Sequence, residues 1–156
     1  MALSDSASRG PASSASRILA TGELVALREL RWEDLDEMES WPLFAEPQLR
    51  WANVDLRTPA QRQIWFRHEL YDPTRKRLAI VLEDRLIGVL GLRSIDYGRG
   101  RATLGIRLSA AEVNRGYGSE AIECVLRYAF EELGLRRVVL DVAANNRRAL
   151  RCYQKA

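Results

Sequence analysis

Residues Asn114-Arg115-Gly116-Tyr117-Gly118-Ser119-Glu120-Ala121 have the clearest capacity for chemistry in this chain. Gly116 and Gly118 stand between a strand-like run at residues 101–108 and a strongly periodic run at 119–133. At such a junction main-chain N–H groups can converge on one small volume, and a helix N-terminus adds the positive end of its dipole. That volume wants an anion, and a pyrophosphate is the best-fitting common one. Glycines also simply make turns, so the neighbours decide. No Lys-Ser/Thr pair comes after the glycines, and the loop lies beyond the fourth strand of the chain. Both facts speak against a nucleoside-triphosphate loop or a dinucleotide-binding order.

The other candidates are more dispersed. Asn146 and Tyr153 lie seven residues apart, about two helical turns, and so share one helix face. Taken alone, they read as an N-cap and a packing aromatic. His68, the single histidine, falls within a helical pattern and reads as structural or superficial. Cys124 and Cys152 make neither a metal-ligand spacing nor a redox pair, and Cys124 sits in an apolar helical run as a buried thiol would. No metal site is expected.

These residues need elements to position them. Residues 23–30 (ELVALREL) alternate as a first strand. Residues 31–41 place Leu35, Met38 and Trp41 at helical spacing, and Pro42 stops the helix. Residues 43–57, with Pro47 and Trp51, read as an irregular connection. Thr58 can cap a second helix with Pro59 at its first position, and Asp72-Pro73 ends it. Strands at 77–83 and 86–94 flank the polar turn Glu83-Asp84-Arg85, and a turn at 96–100 leads to the strand 101–108. The helix at 119–133 carries a stripe of Ile122, Val125, Leu126, Ala129, Phe130 and Leu133, with Gly134 as its C-terminal cap. Residues 137–142 (RVVLDV) read as a buried strand, and Asn145-Asn146 cap a last helix at 147–155. The order is β-α-α-β-β-β-α-β-α, an α/β (α+β) fold with a mixed central sheet.

With 156 residues, 47% hydrophobic and 29% charged, the chain suits one globular domain, residues 18–156, behind a flexible Ser/Ala-rich tail at 1–17. The net charge of +3 is spread along the chain, and no basic stripe interleaved with aromatics speaks for nucleic acid. No run approaches the ~18 apolar residues of a membrane span. The tail's composition overlaps with that of organelle transit peptides, yet the cytoplasm is the expected location.

With these pieces in order, the chain resembles the GNAT superfamily of acyl-CoA-dependent N-acetyltransferases, most closely the branch that acetylates ribosomal-protein N-termini. The resemblance spans about residues 23–156. It rests on Leu104-Gly105-Ile106-Arg107-Leu108, on Arg115-Gly116-Tyr117-Gly118-Ser119-Glu120-Ala121, and on the segment from Asn146 to Lys155. It implies acetyl-CoA as cosubstrate. The family's Gln/Arg-x-x-Gly-x-Gly/Ala motif falls on Val113-Asn114-Arg115-Gly116-Tyr117-Gly118, whose first position here is Val113. Main-chain amides do the binding there, so this departure costs little, and Ser119 could add a hydroxyl. Ile106 and Leu108 would pair through their main chain with the pantetheine arm. The resemblance implies that Asn146 contacts that arm or orders water, and that Tyr153 is the general acid for the leaving thiolate.

The resemblance also implies a carboxylate base on the fourth strand, where this chain has Thr103. Water, Glu46, Asp55 or Asp96 would then take the proton. Trp41 and Trp51 are candidates for the acceptor wall, and an acidic patch beside them would suit a cationic amine or a peptide N-terminus. The family continues past the last helix with two more strands. Here the chain stops at Ala156, so the sequence is expected to be truncated, the alternative being that another chain supplies the edge, as in a homodimer. The function so implied is acetyl transfer to a primary amine, of a protein N-terminus or a small molecule, by direct attack in a ternary complex. The alternative is a non-catalytic acyl-CoA-binding module.

Overall fold

A computed structural model describes residues 17–42, 45 and 58–140. Within them six strands form one sheet in sequence order. β1 (Ile18–Thr21), β2 (Ala26–Glu29), β3 (Lys76–Leu82), β4 (Arg85–Asp96) and β5 (Arg101–Leu108) are antiparallel. β6 (Arg137–Leu140) joins β5 in parallel, from Arg101–Arg137 to Leu104–Leu140. α1 (Asp34–Ser40) and α2 (Pro59–Leu70) come between β2 and β3. α3 (Tyr117–Arg127) and a π turn (Tyr128–Glu132) join β5 to β6.

Strand alternation divides the core in two. Leu78, Ile80, Leu90, Leu92 and Leu104 face α3, where Ala121, Ile122, Cys124 and Val125 are fully buried. Ala79, Val81 and Val89 face the other way, against Leu35, Met38 and Trp41. Each fully buried Leu or Ile contributes about 1.5–3 kcal/mol, so both layers matter to the fold. The β3–β4 turn needs two left-handed residues, which Glu83 (φ 49°) and Asp84 (φ 67°) supply.

Several expectations are corrected. The strand at 23–30 is in fact the second arm of a hairpin: Gly22 and its neighbours turn the chain, and Gly22 N–H donates to Val25 C=O at 2.8 Å. The helix at 31–41 begins only at Asp34, because the Asp34 carboxylate accepts the Arg31 N–H at 2.7 Å and binds Arg28 through both oxygens at 2.8 Å. The second helix has the expected cap, with Thr58 and Gln61 bonded reciprocally. The long helix starts two residues early, at Tyr117, and passes into the π turn, where Leu133 N–H reaches Tyr128 C=O at 3.1 Å. This turn holds an extra residue and shifts the angular phase of its side chains, so Phe130 is 44% exposed rather than part of the apolar stripe. β6 is half-buried, with Val139 39% exposed, and not the buried strand its composition suggested. Gly134 takes the left-handed cap (φ 70°) as expected. The last helix, residues 43–44 and 46–57, and the tail at 1–16 lie outside the described residues.

Candidate functional site

β5 delivers the chain directly into the glycine loop. Ser109 N–H donates to Ile87 C=O at 2.8 Å, which turns the main-chain polar groups of Ser109 toward β4. Alternation along an antiparallel strand then turns those of Leu108 and Ile106 to the opposite edge, the side on which β6 pairs further back. Both side chains are half-buried.

Beyond β5, Ser109 caps a short 3-10 turn (Ala110–Glu112) by accepting the Ala111 N–H at 3.3 Å. Glu112 is 6% exposed and binds Arg85 at 2.7 Å, while its second oxygen lies 3.9 Å from Arg115. This buried carboxylate anchors the base of the loop. Asn114 (φ 64°) and Gly116 (φ 86°) then both adopt the left-handed region. A Cβ on Gly116 would meet no heavy atom within 4 Å, so the space beside it is open. Gly116 is the N-cap of α3 and provides no side-chain cap. Gly116, lacking a side chain, therefore supplies no oxygen to the N–H groups of the first helical turn. Gly118 is buried, Val113, Tyr117 and Ser119 are half-buried, and Asn114 and Arg115 are exposed.

A second carboxylate holds the helix from the other side. Glu120 Oε2 accepts the N–H groups of Leu24 and Val25 at 2.7 and 2.6 Å, tying the β1–β2 turn to the first turn of α3. Gly22 has no room for a Cβ, which would lie 2.5 Å from Glu120 Oε2. Sequence reading missed both carboxylates. The Ser109-x-x-Glu112 spacing was a usable helix-start signal. Nothing local marks the contact of Glu120 across 95 residues.

The face of β5 turned to α1 carries a different chemistry. Arg107 pairs with Val89, Gly105 with Gly91, and Thr103 with Arg93, and these side chains share one face. The Arg107 guanidinium lies 5.0 Å from the Trp41 ring centre. Its Nε and Nη1 are buried without an acceptor. Burial and, secondarily, the charge of Arg77 push its pKa down to about 10. Arg77 itself lies 5.7 Å from the Trp65 ring. Among the described residues, the strand face beside Trp41 is thus basic.

Thr103 is half-buried and offers no carboxylate. Asp96 is exposed at the β4–β5 turn, where it accepts the Arg99 N–H at 2.9 Å. Asn146, Tyr153, Glu46, Trp51 and Asp55 lie outside the described residues. His68 is exposed and Cys124 fully buried, its thiol pushed up by burial. Among the described residues no His, Cys, Asp and Glu group could hold a metal, and no helix is long and apolar enough to cross a membrane.

Comparison with known proteins bears on this geometry. The model of the acetyltransferase (GNAT) domain matches residues 25–156. The chain is 28% identical over 131 residues to the Uncharacterized N-acetyltransferase p20 of Bacillus licheniformis, covering 80% of this chain and 72% of that one. Among solved structures it is similar in fold to spermidine N-acetyltransferase from Vibrio cholerae in complex with CoA and spermine, with TM-score 0.73, 21% identity, and 86% and 80% of the two chains covered. It is likewise similar to Mycobacterium smegmatis RimJ in complex with CoA-disulfide, with TM-score 0.66, 17% identity, and 83% and 68% covered. The chain belongs to the GNAT superfamily and is an N-acetyltransferase.

Proposed function

We propose that the protein transfers an acetyl group from acetyl-CoA to a primary amine, on a protein N-terminus or a small molecule, by direct attack within a ternary complex. The observation that carries this reading is the run from the outward-turned main chain of Ile106 and Leu108 into the α3 N-terminus, which has no side-chain cap behind left-handed Gly116. An arm bearing two amides can add to the first as a strand would. A diphosphate can take the amides of the second. The Vibrio cholerae enzyme with CoA and spermine supports a CoA cosubstrate and an amine acceptor.

Bound acetyl-CoA supplies an activated acyl carbonyl. The main-chain N–H groups between Val113 and Ser119 hold the diphosphate, with Asn114, Arg115, Gly116, Tyr117 and Gly118 shaping the loop. Ile106 and Leu108 orient the arm, and a main-chain N–H of this strand polarises the carbonyl oxygen. Holding the amine beside it provides much of the rate. Asn146 steadies the arm, and the Tyr153 hydroxyl gives its proton to the departing sulfur. With Thr103 in place of a carboxylate, water carries the ammonium proton away. Cytoplasmic residence fits this chemistry.

Thr103 also favours a second reading, a non-catalytic acyl-CoA-binding module. Calorimetric titration with acetyl-CoA tests the shared part, and absence of binding sinks both readings. Thiol release over a panel of amines and peptides then separates enzyme from module.

A further inference from the structure

The face of the sheet turned to α1 and α2 is the side on which an acceptor would meet an arm held by Ile106 and Leu108, and among the described residues the strands bring Arg77, Arg93 and Arg107 to it. Arg107 stands between those two residues in sequence, stacked on Trp41, with Nε and Nη1 buried and lacking any acceptor. One row along, Gly91 and Gly105 oppose each other and leave a floor without side chains. Two guanidinium groups lie over it. Arg77 Cζ is 3.2 Å from where a Cβ of Gly91 would be, and Arg93 Nη1 is 3.3 Å from where a Cβ of Gly105 would be. Three acids of α1 are already engaged by arginines. Asp34 is held by Arg28 and the Arg31 N–H, and Asp36 and Glu39 are held by Arg62.

Buried donors without acceptors are costly, and a site that keeps them is matched to a ligand that supplies acceptors. A polycation would instead add charge of the same sign. We propose that the acceptor carries an oxyanion, a carboxylate or a phosphate, near its primary amine, and that Arg107 and Arg93 receive it. This inference rests on the acetyltransferase reading. Gly91 and Gly105 make room for the guanidinium groups of Arg77 and Arg93 to lie close over the sheet, and Trp41 packs on the face of the Arg107 guanidinium, leaving its N–H edge for the oxyanion.

The test measures thiol release from acetyl-CoA with glycine, glutamate and ethanolamine phosphate, against glycine methyl ester, ethylamine and spermidine. Amines bearing an oxyanion are expected to exceed the neutral amines and spermidine in kcat/KM by on the order of tenfold or more. Comparing the carboxylates with ethanolamine phosphate assigns the oxyanion. Arg107→Gln and, at an exposed position that tolerates change, Arg93→Gln are expected to narrow that gap, chiefly through KM. Arg107→Lys is expected to restore part of it. Equal rates for glycine and its methyl ester, a preference for spermidine, or an unchanged gap in both Gln variants would overturn the inference while leaving acetyl transfer intact. Should acetyl-CoA bind without turnover of any amine, calorimetry of glutamate, ethanolamine phosphate and spermidine on the CoA-saturated protein decides in the same sense. Failure of acetyl-CoA to bind at all removes the underlying reading and this inference with it.

Discussion

The carboxylate of Glu120, in the first turn of α3, accepts the main-chain N–H of Val25 at 2.6 Å. The N-cap of this helix, Gly116, supplies no side-chain cap, and the β1–β2 hairpin holds the first turn instead. Replacing Glu120 by Ala removes a charged acceptor from two N–H groups and is expected to cost about 2 kcal/mol. Thermal melting should show the loss, and Gln, which keeps one oxygen, should lose less. Gly22→Ala should weaken the same contact, because the added Cβ collides with Glu120.

Gly116 offers a cleaner probe of the loop. Its φ of 86° strains any L-residue, but its Cβ would meet nothing in the protein. Gly116→Ala should therefore lose about 1–2 kcal/mol of stability from backbone strain alone. If the proposed diphosphate site is right, acetyl-CoA titration of the folded variant should show a further, separate loss of affinity, because the new methyl projects into the open space beside the loop.

The pair Arg28–Asp34 is nearly dry, each side chain being 5% exposed. Asp34→Ala leaves Arg28 as an uncompensated buried charge and is expected to cost about 3–5 kcal/mol in chemical denaturation. Replacing both by apolar residues of similar volume should recover most of that loss. A double variant no more stable than Asp34→Ala would show that the pair is needed for more than charge balance.

Cys124 gives a pH prediction. Burial pushes its thiol above the ordinary value, so at a given pH the folded protein holds less thiolate than a free cysteine. The folded state retains this proton longer than the unfolded one, so its contribution to stability is present below the ordinary thiol range and fades as pH rises through the folded pKa. Alkylation at pH 8 should be slow in the native protein and rapid in denaturant. Rapid native alkylation of Cys124 would contradict its burial.

Tyr153→Phe tests the acid role. Loss of the hydroxyl should lower kcat by about a hundredfold or more while acetyl-CoA still binds. Unchanged turnover would assign protonation of the sulfur to another group.

The sequence was most legible where one residue type has one conformational use. The boundaries of β5, the Thr58 cap and the Gly134 cap all stem from local chemistry. The first hairpin was hidden because Ile18–Thr21 is short and carries no turn dipeptide of a standard kind. The basic face was readable in principle, since Arg101, Thr103, Gly105 and Arg107 alternate with Ala102, Leu104, Ile106 and Leu108. What alternation could not tell is that Arg77 and Arg93 come from two other strands to the same face. Long-range contacts such as Glu120–Val25 have no local trace at all.

The π turn after α3 has a consequence for how the two ends of this helix are aimed. Gly116 and Glu120 set the direction of the first turn, while Leu135, 4% exposed, must be seated in the core at the far end. In an uninterrupted helix, fixing one end fixes the angular phase of the other. One extra residue between Tyr128 and Glu132 works as slack in that linkage, so each end can be set without compromising the other. A chain shortened by one residue there would carry α3 on as a regular helix and keep the 113–119 loop in place. The same deletion within Tyr117–Arg127 would swing the apolar stripe off the sheet.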